Sequence, residues 1–249
     1  MAIAFLGLRS GSVGLPNKNI RSFHGKPLFA WIVHQCIRSK LVERLVISTD
    51  SDEYIKLIKE YCDCDIVKRP AELALANSRD EEFIFHALEY LNIRDMHLDT
   101  PVLRLVATNP LQTYVDIDQC IRALNNSIYK SSMAIASAGL YYHKALAVNR
   151  QENNYIVEPI DGSCSNSNMP RQGTYGLFKR SNIICTRLST LLTTNSLINP
   201  AVAPIFVPQE RCIDIDTMAD WNIASSLLTG YYEEEIDYQS FMPSLAPFS

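Results

Sequence analysis

Residues 2–19 read Ala2-Ile3-Ala4-Phe5-Leu6-Gly7-Leu8-Arg9-Ser10-Gly11-Ser12-Val13-Gly14-Leu15-Pro16-Asn17-Lys18-Asn19. A short apolar strand runs straight into a glycine-punctuated basic loop. Glycine lets backbone N–H groups approach an anion closely, and successive N–H groups in turn conformation form an anion nest. Arg9 and Lys18 add positive charge, and an arginine grips phosphate through two donors. Pro16 fixes the chain direction on leaving the loop. The spacing is neither GxxxxGK[ST] nor GxGxxG. From the residues alone, the loop is either a phosphate cradle or an ordinary strand-to-helix connection with two turn glycines.

Outward from this loop, strand and helix patterns alternate. Pro27 to Lys40 reads as a helix, with Leu28, Trp31, Ile32 and Cys36 near helical spacing. Arg44 to Ser48 reads as a buried strand, followed by a helix capped at Ser51 or Asp52 and running to about Tyr61. A short strand at Asp65–Val67, a helix over Asp80–Leu91, a strand at Val102–Ala107, a helix over Val115–Asn125 and a strand at Ser132–Ala138 follow. Ala203–Val207 reads as a strand, and Met218 to about Leu228 as a helix. The pattern predicts an α/β fold, a Rossmann-like, mostly parallel sheet with helices on both faces. Ligand loops then sit at the carboxyl ends of the strands, where the opening loop, Thr49-Asp50 and Thr108-Asn109 fall.

Residues 150–175 are polar and lack periodicity, which predicts a lid or extended arm over about 140–175. Residues 1–230 are expected to form one domain including that arm. Residues 231–249 are expected to be an acidic tail.

The chain has 249 residues and a net charge of −4, which argues against a general nucleic-acid or membrane-surface binder. A basic pocket within an acidic chain stays compatible with that balance. No signal-peptide pattern or membrane-span pattern is read, so a cytoplasmic location is expected. The seven cysteines are scattered; Cys62 and Cys64, one residue apart, suit neither a zinc knuckle nor a CxxC. Reduced thiols are the expectation. His24, His34, His86 and His97 carry no catalytic expectation.

Taken together, the segments resemble the sialic-acid (nonulosonic-acid) cytidylyltransferases, the CMP-N-acetylneuraminate synthetases. Leu8 to Asn19 is similar to that family's ARxGSKGLPxKN, and Gly25-Lys26-Pro27-Leu28 to its GKPL. Ile47-Ser48-Thr49-Asp50 matches VSTD, Arg69 to Ala74 matches RPAELA, and His86-Ala87-Leu88-Glu89 follows at the family's distance. Thr108-Asn109-Pro110-Leu111 looks like the TSPL of QPTSPLR, Arg171-Gln172 like its RQ, and Ile213 to Thr217 like IDIDT. The matches run in order from residue 3 to about 228.

The resemblance implies coupling of CTP to an acidic sugar acceptor, giving CMP-sugar and pyrophosphate, with Mg2+ as cofactor in a homodimer of cell-surface polysaccharide biosynthesis. It implies no nucleic-acid partner. Arg9, Lys18, Asp214 and Asp216 are the implied catalytic residues. Leu8, Arg9, Ser10, Gly11, Ser12, Asn19 and Arg69 are implied for the nucleotide, and Thr108, Asn109, Gln112, Arg171 and Gln172 for the sugar. His143-Lys144 is implied near the sugar pocket or the dimer contact. In an extended stretch Asp214 and Asp216 project to one side and can share a metal ion; the bare sequence also allows a solvated edge before a Thr217 helix cap.

Three positions depart from the pattern. The lysine of GSKG is Val13, the glutamine of QPTSPLR is Val106, and its arginine is Gln112. The segment between Arg171-Gln172 and Gly176-Leu177-Phe178 is short, and the family's Asn-Gly there reads Tyr175-Gly176. The nucleotide and metal motifs are thus better kept than the sugar motifs. Two functions follow: an active cytidylyltransferase, or a weakened nucleotide-binding paralogue with a regulatory or scaffold role.

Overall fold

A computed structural model describes residues 1–11, 14–93, 97–138, 146–151, 154–159 and 178–231. Ser12, Val13, His143, Lys144, Arg171, Gln172, Tyr175 and the acidic tail lie outside the described residues.

The main sheet has seven strands. In chain order they are β1 (Ala2–Leu8), β4 (Val42–Thr49), β5 (Asp65–Lys68), β6 (Pro101–Leu105), β7 (Ser131–Ser137), β10 (Phe178–Arg187) and β11 (Val202–Phe206). Two small ribbons, β2 (Ser22–Phe23) with β3 (Lys26–Pro27) and β8 (Leu146–Gln151) with β9 (Asn154–Pro159), complete the numbering. The order across the main sheet is β11-β7-β10-β6-β1-β4-β5. All neighbours are parallel except β10, which runs antiparallel to both β6 and β7.

The helices are α1 (Leu28–Arg38), α2 (Asp52–Tyr61), α3 (Asp80–Tyr90), α4 (Tyr114–Ala123), α5 (Leu188–Thr194) and α6 (Met218–Tyr231). Ser51 caps α2, its hydroxyl accepting from Tyr54 N at 3.3 Å. The alternating strand-and-helix reading therefore agrees with the structure up to residue 138. It missed β10 and α5, and it read as irregular the stretch that begins within the β8–β9 ribbon.

Side-chain alternation along β1 builds both faces of the sheet. Ala2, Ala4, Leu6 and Leu8 join one buried cluster with α1, α2 and α4, while Ile3 and Phe5 join another with α3 and α5. A third cluster joins Leu15 of the opening loop, Phe23, Leu28, Leu111, Ile215 and Trp221 of α6. It fastens the loop to the segment ahead of α6. Cys36, Cys120, Cys185 and Cys212 are buried thiols.

Strand β1 has its parallel neighbours β4 and β6 on opposite sides, and their crossovers diverge at its carboxyl end. That divergence opens a crevice, the general ligand position in such sheets. Among the described residues no helix is long and apolar enough to cross a membrane.

Candidate active site

A cavity of about 370 Å³ lies at that crevice. Arg9, Lys18, Arg69, Arg79 and Arg104 supply five cations to its lining, against the carboxylates of Asp80, Asp214 and Asp216. A cationic cleft in an acidic chain is the electrostatic signature of an anionic ligand.

The opening loop is held from three sides. Asp50, at the end of β4, accepts from Ser10 N at 2.9 Å and from the Ser10 hydroxyl at 2.6 Å. Asn19 donates its amide Nδ2 to the Arg9 carbonyl at 3.0 Å, closing the loop across its base. Asn17 takes a left-handed conformation (φ 52°), which asparagine tolerates, and turns the chain into a short 3-10 helix at Lys18–Ile20. Arg9 reaches across the cleft and donates to the Leu75 carbonyl at 3.2 Å.

The opposite wall is Cys212–Thr217. Ile215 N donates to the Thr108 carbonyl at 2.8 Å, and the Ile215 side chain is fully buried. Burial of the middle residue sends Asp214 and Asp216 out to the cleft, which they both line. Lys18 crosses between the walls. Its Nζ donates to the Ile215 carbonyl at 2.6 Å and to Asp216 Oδ1 at 2.7 Å. The Asp216 side chain is 73% exposed, whereas that of Lys18 is 12% exposed. Thr217 and Asp220 cap α6, with Thr217 N and its hydroxyl donating to Asp220 Oδ2. Further back, Arg211 pairs with Asp116 through two bonds of 2.7 and 3.0 Å, both residues buried. That pair ties the Asp214–Asp216 segment to the first turn of α4.

Arg69 sits against the floor. It donates through Nη2 to the Ser48 carbonyl at 2.5 Å, and its guanidinium lies 4.5 Å from the Phe83 ring centroid. Its Nε is buried without a hydrogen-bond partner among the described residues. Burial lowers its pKa to about 10, so it remains a cation at neutral pH. Gly7 makes room for this stack: a Cβ there would stand 2.9 Å from the Phe83 ring and 3.0 Å from Arg69 Nη2.

Of the residues singled out from sequence, Arg9, Lys18, Asn19, Arg69, Thr108, Asp214 and Asp216 are thus brought to one cleft. Leu8 is buried in the core and contributes no side chain to the cleft. Ser10 serves the loop through Asp50, and Gly11 is exposed with open space around it.

Two residues expected at the sugar site are placed off the cleft lining. Gln112 is buried, and its amide oxygen accepts from Asn182 N at 3.0 Å and Ile183 N at 3.3 Å, so it pins α4 to β10 instead of facing the cleft. Asn109 is also buried, its Oδ1 accepting from Leu111 N at 3.2 Å in a local turn. The sequence reading missed Arg79, Asp80, Phe83 and Arg104. The one available signal was Arg104, a charge inside an otherwise apolar strand.

Residues 3–163 match the family model described as Cytidylyltransferase. The chain is 26% identical to an N-acylneuraminate cytidylyltransferase of Escherichia coli O18:K1:H7, over 96% of this chain and 55% of that one. It therefore spans about half the length of that relative. It is 24% identical to a CMP-N,N'-diacetyllegionaminic acid synthase of Legionella pneumophila, over 91% of this chain and 95% of that one. In fold it is similar to a CMP:2-keto-3-deoxy-manno-octonic acid synthetase solved with CTP. The TM-score there is 0.67 and the identity 12%, covering 92% and 98% of the two chains.

Proposed function

This chain belongs to the cytidylyltransferase family, and from that premise we propose that it couples CTP to an acidic sugar of the nonulosonic class, giving CMP-sugar and pyrophosphate. The observation that carries the reading is the pairing of the glycine loop with the Asp214–Asp216 segment across one cationic cleft. The related names point the same way: one relative is named an N-acylneuraminate cytidylyltransferase and another a CMP-N,N'-diacetyllegionaminic acid synthase.

In this reading Arg9, Lys18 and the loop amides receive the triphosphate. Arg69 and Asn19 lie on the nucleoside side, and Thr108 faces the acceptor. The acceptor's anomeric oxygen forms a bond to the α-phosphorus, the bond from that phosphorus to the bridging oxygen breaks, and the hydroxyl proton passes to solvent. Such a step is mostly positioning and charge stabilisation.

A magnesium ion fits the residues present. Two carboxylates on one segment, one of them largely exposed, suit a hard ion that takes one or two carboxylates and completes its shell with phosphate oxygens and water. Asp214 and Asp216 would hold it, and when bound it would neutralise charge on the leaving pyrophosphate. Lys18 donates to Asp216 Oδ1, so the ammonium and the ion would share that carboxylate.

The test is pyrophosphate release from CTP with Mg2+ across a panel of nonulosonic acids. Release with one or more acids supports the reading. Tight CTP binding without turnover on any acid replaces it with a nucleotide-binding paralogue.

A further inference from the structure

Residues 104, 106 and 108 alternate along one wall of the cleft. Arg104 and Val106 line it, as does Thr108 at the rim. Arg104 is level with Phe5 in the β6–β1 register, so it lies deeper than Gly7 and the phosphate loop. It is the only charged residue in β6, whose Val102, Leu103 and Leu105 are buried. Its side chain is 18% exposed.

A cation at that depth is costly unless it is used. Asp80, in the first turn of α3, partners it: Arg104 Nε donates to Asp80 Oδ2 at 2.6 Å, and Nη2 lies 2.5 Å from the same oxygen. A half-buried ion pair adds little net stability, because desolvation and solvent screening offset its attraction. Its geometric effect is clear, however. With Nε and Nη2 held by Asp80, the fork is fixed in direction; among the described residues Nη1 donates to the Asn182 carbonyl alone, at 3.5 Å. Arg104 lines the cavity, and this weakly engaged end of a permanently charged group is its free capacity for an anion there. Arg79 lines the same region and adds to the positive potential.

We infer that Arg104 is the acceptor-specificity residue of this chain, its Nη1 receiving the carboxylate of the sugar acid while Val106 packs against the acid's apolar carbons. The inference rests on the proposed cytidylyl transfer and deepens it. Where the resembling family places a glutamine at position 106, this chain carries its polar reader two residues deeper, on the same side of the strand. A carboxylate on a buried guanidinium is a stronger and more selective contact than an amide gives.

The experiment is calorimetric titration of the full chain with CTP, and then with N-acetylneuraminate, legionaminate, pseudaminate and 2-keto-3-deoxyoctonate in the presence of a non-hydrolysable CTP analogue and Mg2+. Arg104→Leu is expected to weaken acid binding about tenfold or more, the size of one lost charge-assisted hydrogen bond, with CTP binding unchanged within about twofold. Arg104→Lys with the C1 amide of the best acid provides a second measurement should the leucine variant not fold. Wild type is expected to prefer acid over amide, and Arg104→Lys to lose much of that preference.

Equal loss of CTP and acid binding, no loss of either, or an unchanged acid preference in Arg104→Lys overturns the inference. Acid binding regained in the double variant Arg104→Leu, Asp80→Asn also overturns it, since Arg104 then only neutralises Asp80. Wild type that binds CTP but none of the acids overturns both this assignment and the acceptor class. Wild type that does not bind CTP overturns the function itself.

Discussion

Gly14 packs directly on the backbone carbonyl of Asp216: a Cβ at position 14 would lie 2.4 Å from that oxygen. The glycine loop and the carboxylate segment are therefore in contact through backbone atoms, where neither side can move away cheaply. Gly14→Ala is expected to push the two walls apart and lower kcat/KM for CTP on the order of 100-fold, the usual effect of a misplacement near 1 Å. Steady-state kinetics of the variant beside wild type provide the check.

Asp216→Ala is expected to abolish turnover, by more than about 100-fold, while the thermal midpoint stays near wild type, because its side chain is largely exposed. Chelation of divalent ions is expected to stop wild-type turnover as well. Near-normal rates in the variant would remove Asp216 from any metal role. Calorimetry with Mg2+ and CTP then separates lost metal binding from lost nucleotide binding.

Asp50 gives the stability a pH dependence. Burial acts to raise its pKa, but the Ser10 hydroxyl and amide bonds and the nearby Arg69 outweigh it and hold the carboxyl below its ordinary 3.8. A depressed pKa means that the contribution is present above the unfolded value and is lost as pH falls below it. Wild type is therefore expected to lose stability as pH drops through and below about 3.8, and Asp50→Asn to flatten that part of the curve. Urea midpoints between about pH 5 and about pH 2 would show the difference.

The Arg211–Asp116 pair holds the carboxylate segment from behind. Arg211→Met leaves Asp116 buried without its cation and is expected to cost about 3–5 kcal/mol in unfolding free energy. Adding Asp116→Leu to that variant is expected to recover much of the loss, since an apolar pair of similar volume needs no desolvation. Denaturant unfolding of the two variants measures both effects. A single variant as stable as wild type would show that the pair contributes nothing to the fold.

The β1-β4-β5 side of the sheet and the glycine-loop end of the cleft were legible because their signals are local. The alternation of β1, the cap at Ser51 and the glycine loop each declare themselves within a few residues. Asp214 and Asp216 were legible for the same reason, with Ile215 marking the buried side. The end at Arg104 was not, because it depends on partners far apart in sequence. Gln112 sits where a sugar contact was expected, yet its amide is taken by Asn182 and Ile183, some 70 residues later, in a strand that the sequence did not announce. Arg104 looks like an anomaly in β6 until α3 brings Asp80 beside it. Phe178–Arg187 escaped notice because its polar first turns resemble a loop, and only β6 and β7 on either side make it a strand.

The antiparallel strand also sets an order of assembly. By the time residue 105 leaves the ribosome, β1, β4, β5 and β6 can already pair as a four-stranded parallel unit beside the glycine loop. β7 has no hydrogen-bonded partner earlier than itself: its two neighbours, β10 and β11, both come later in the chain. It must wait for Phe178–Arg187, whose insertion closes a long loop and carries the entropic delay of distant contacts. The nascent chain thus acquires its glycine loop early, the wall at Arg104 when Asn182 docks beside it, and its carboxylate pair last of all.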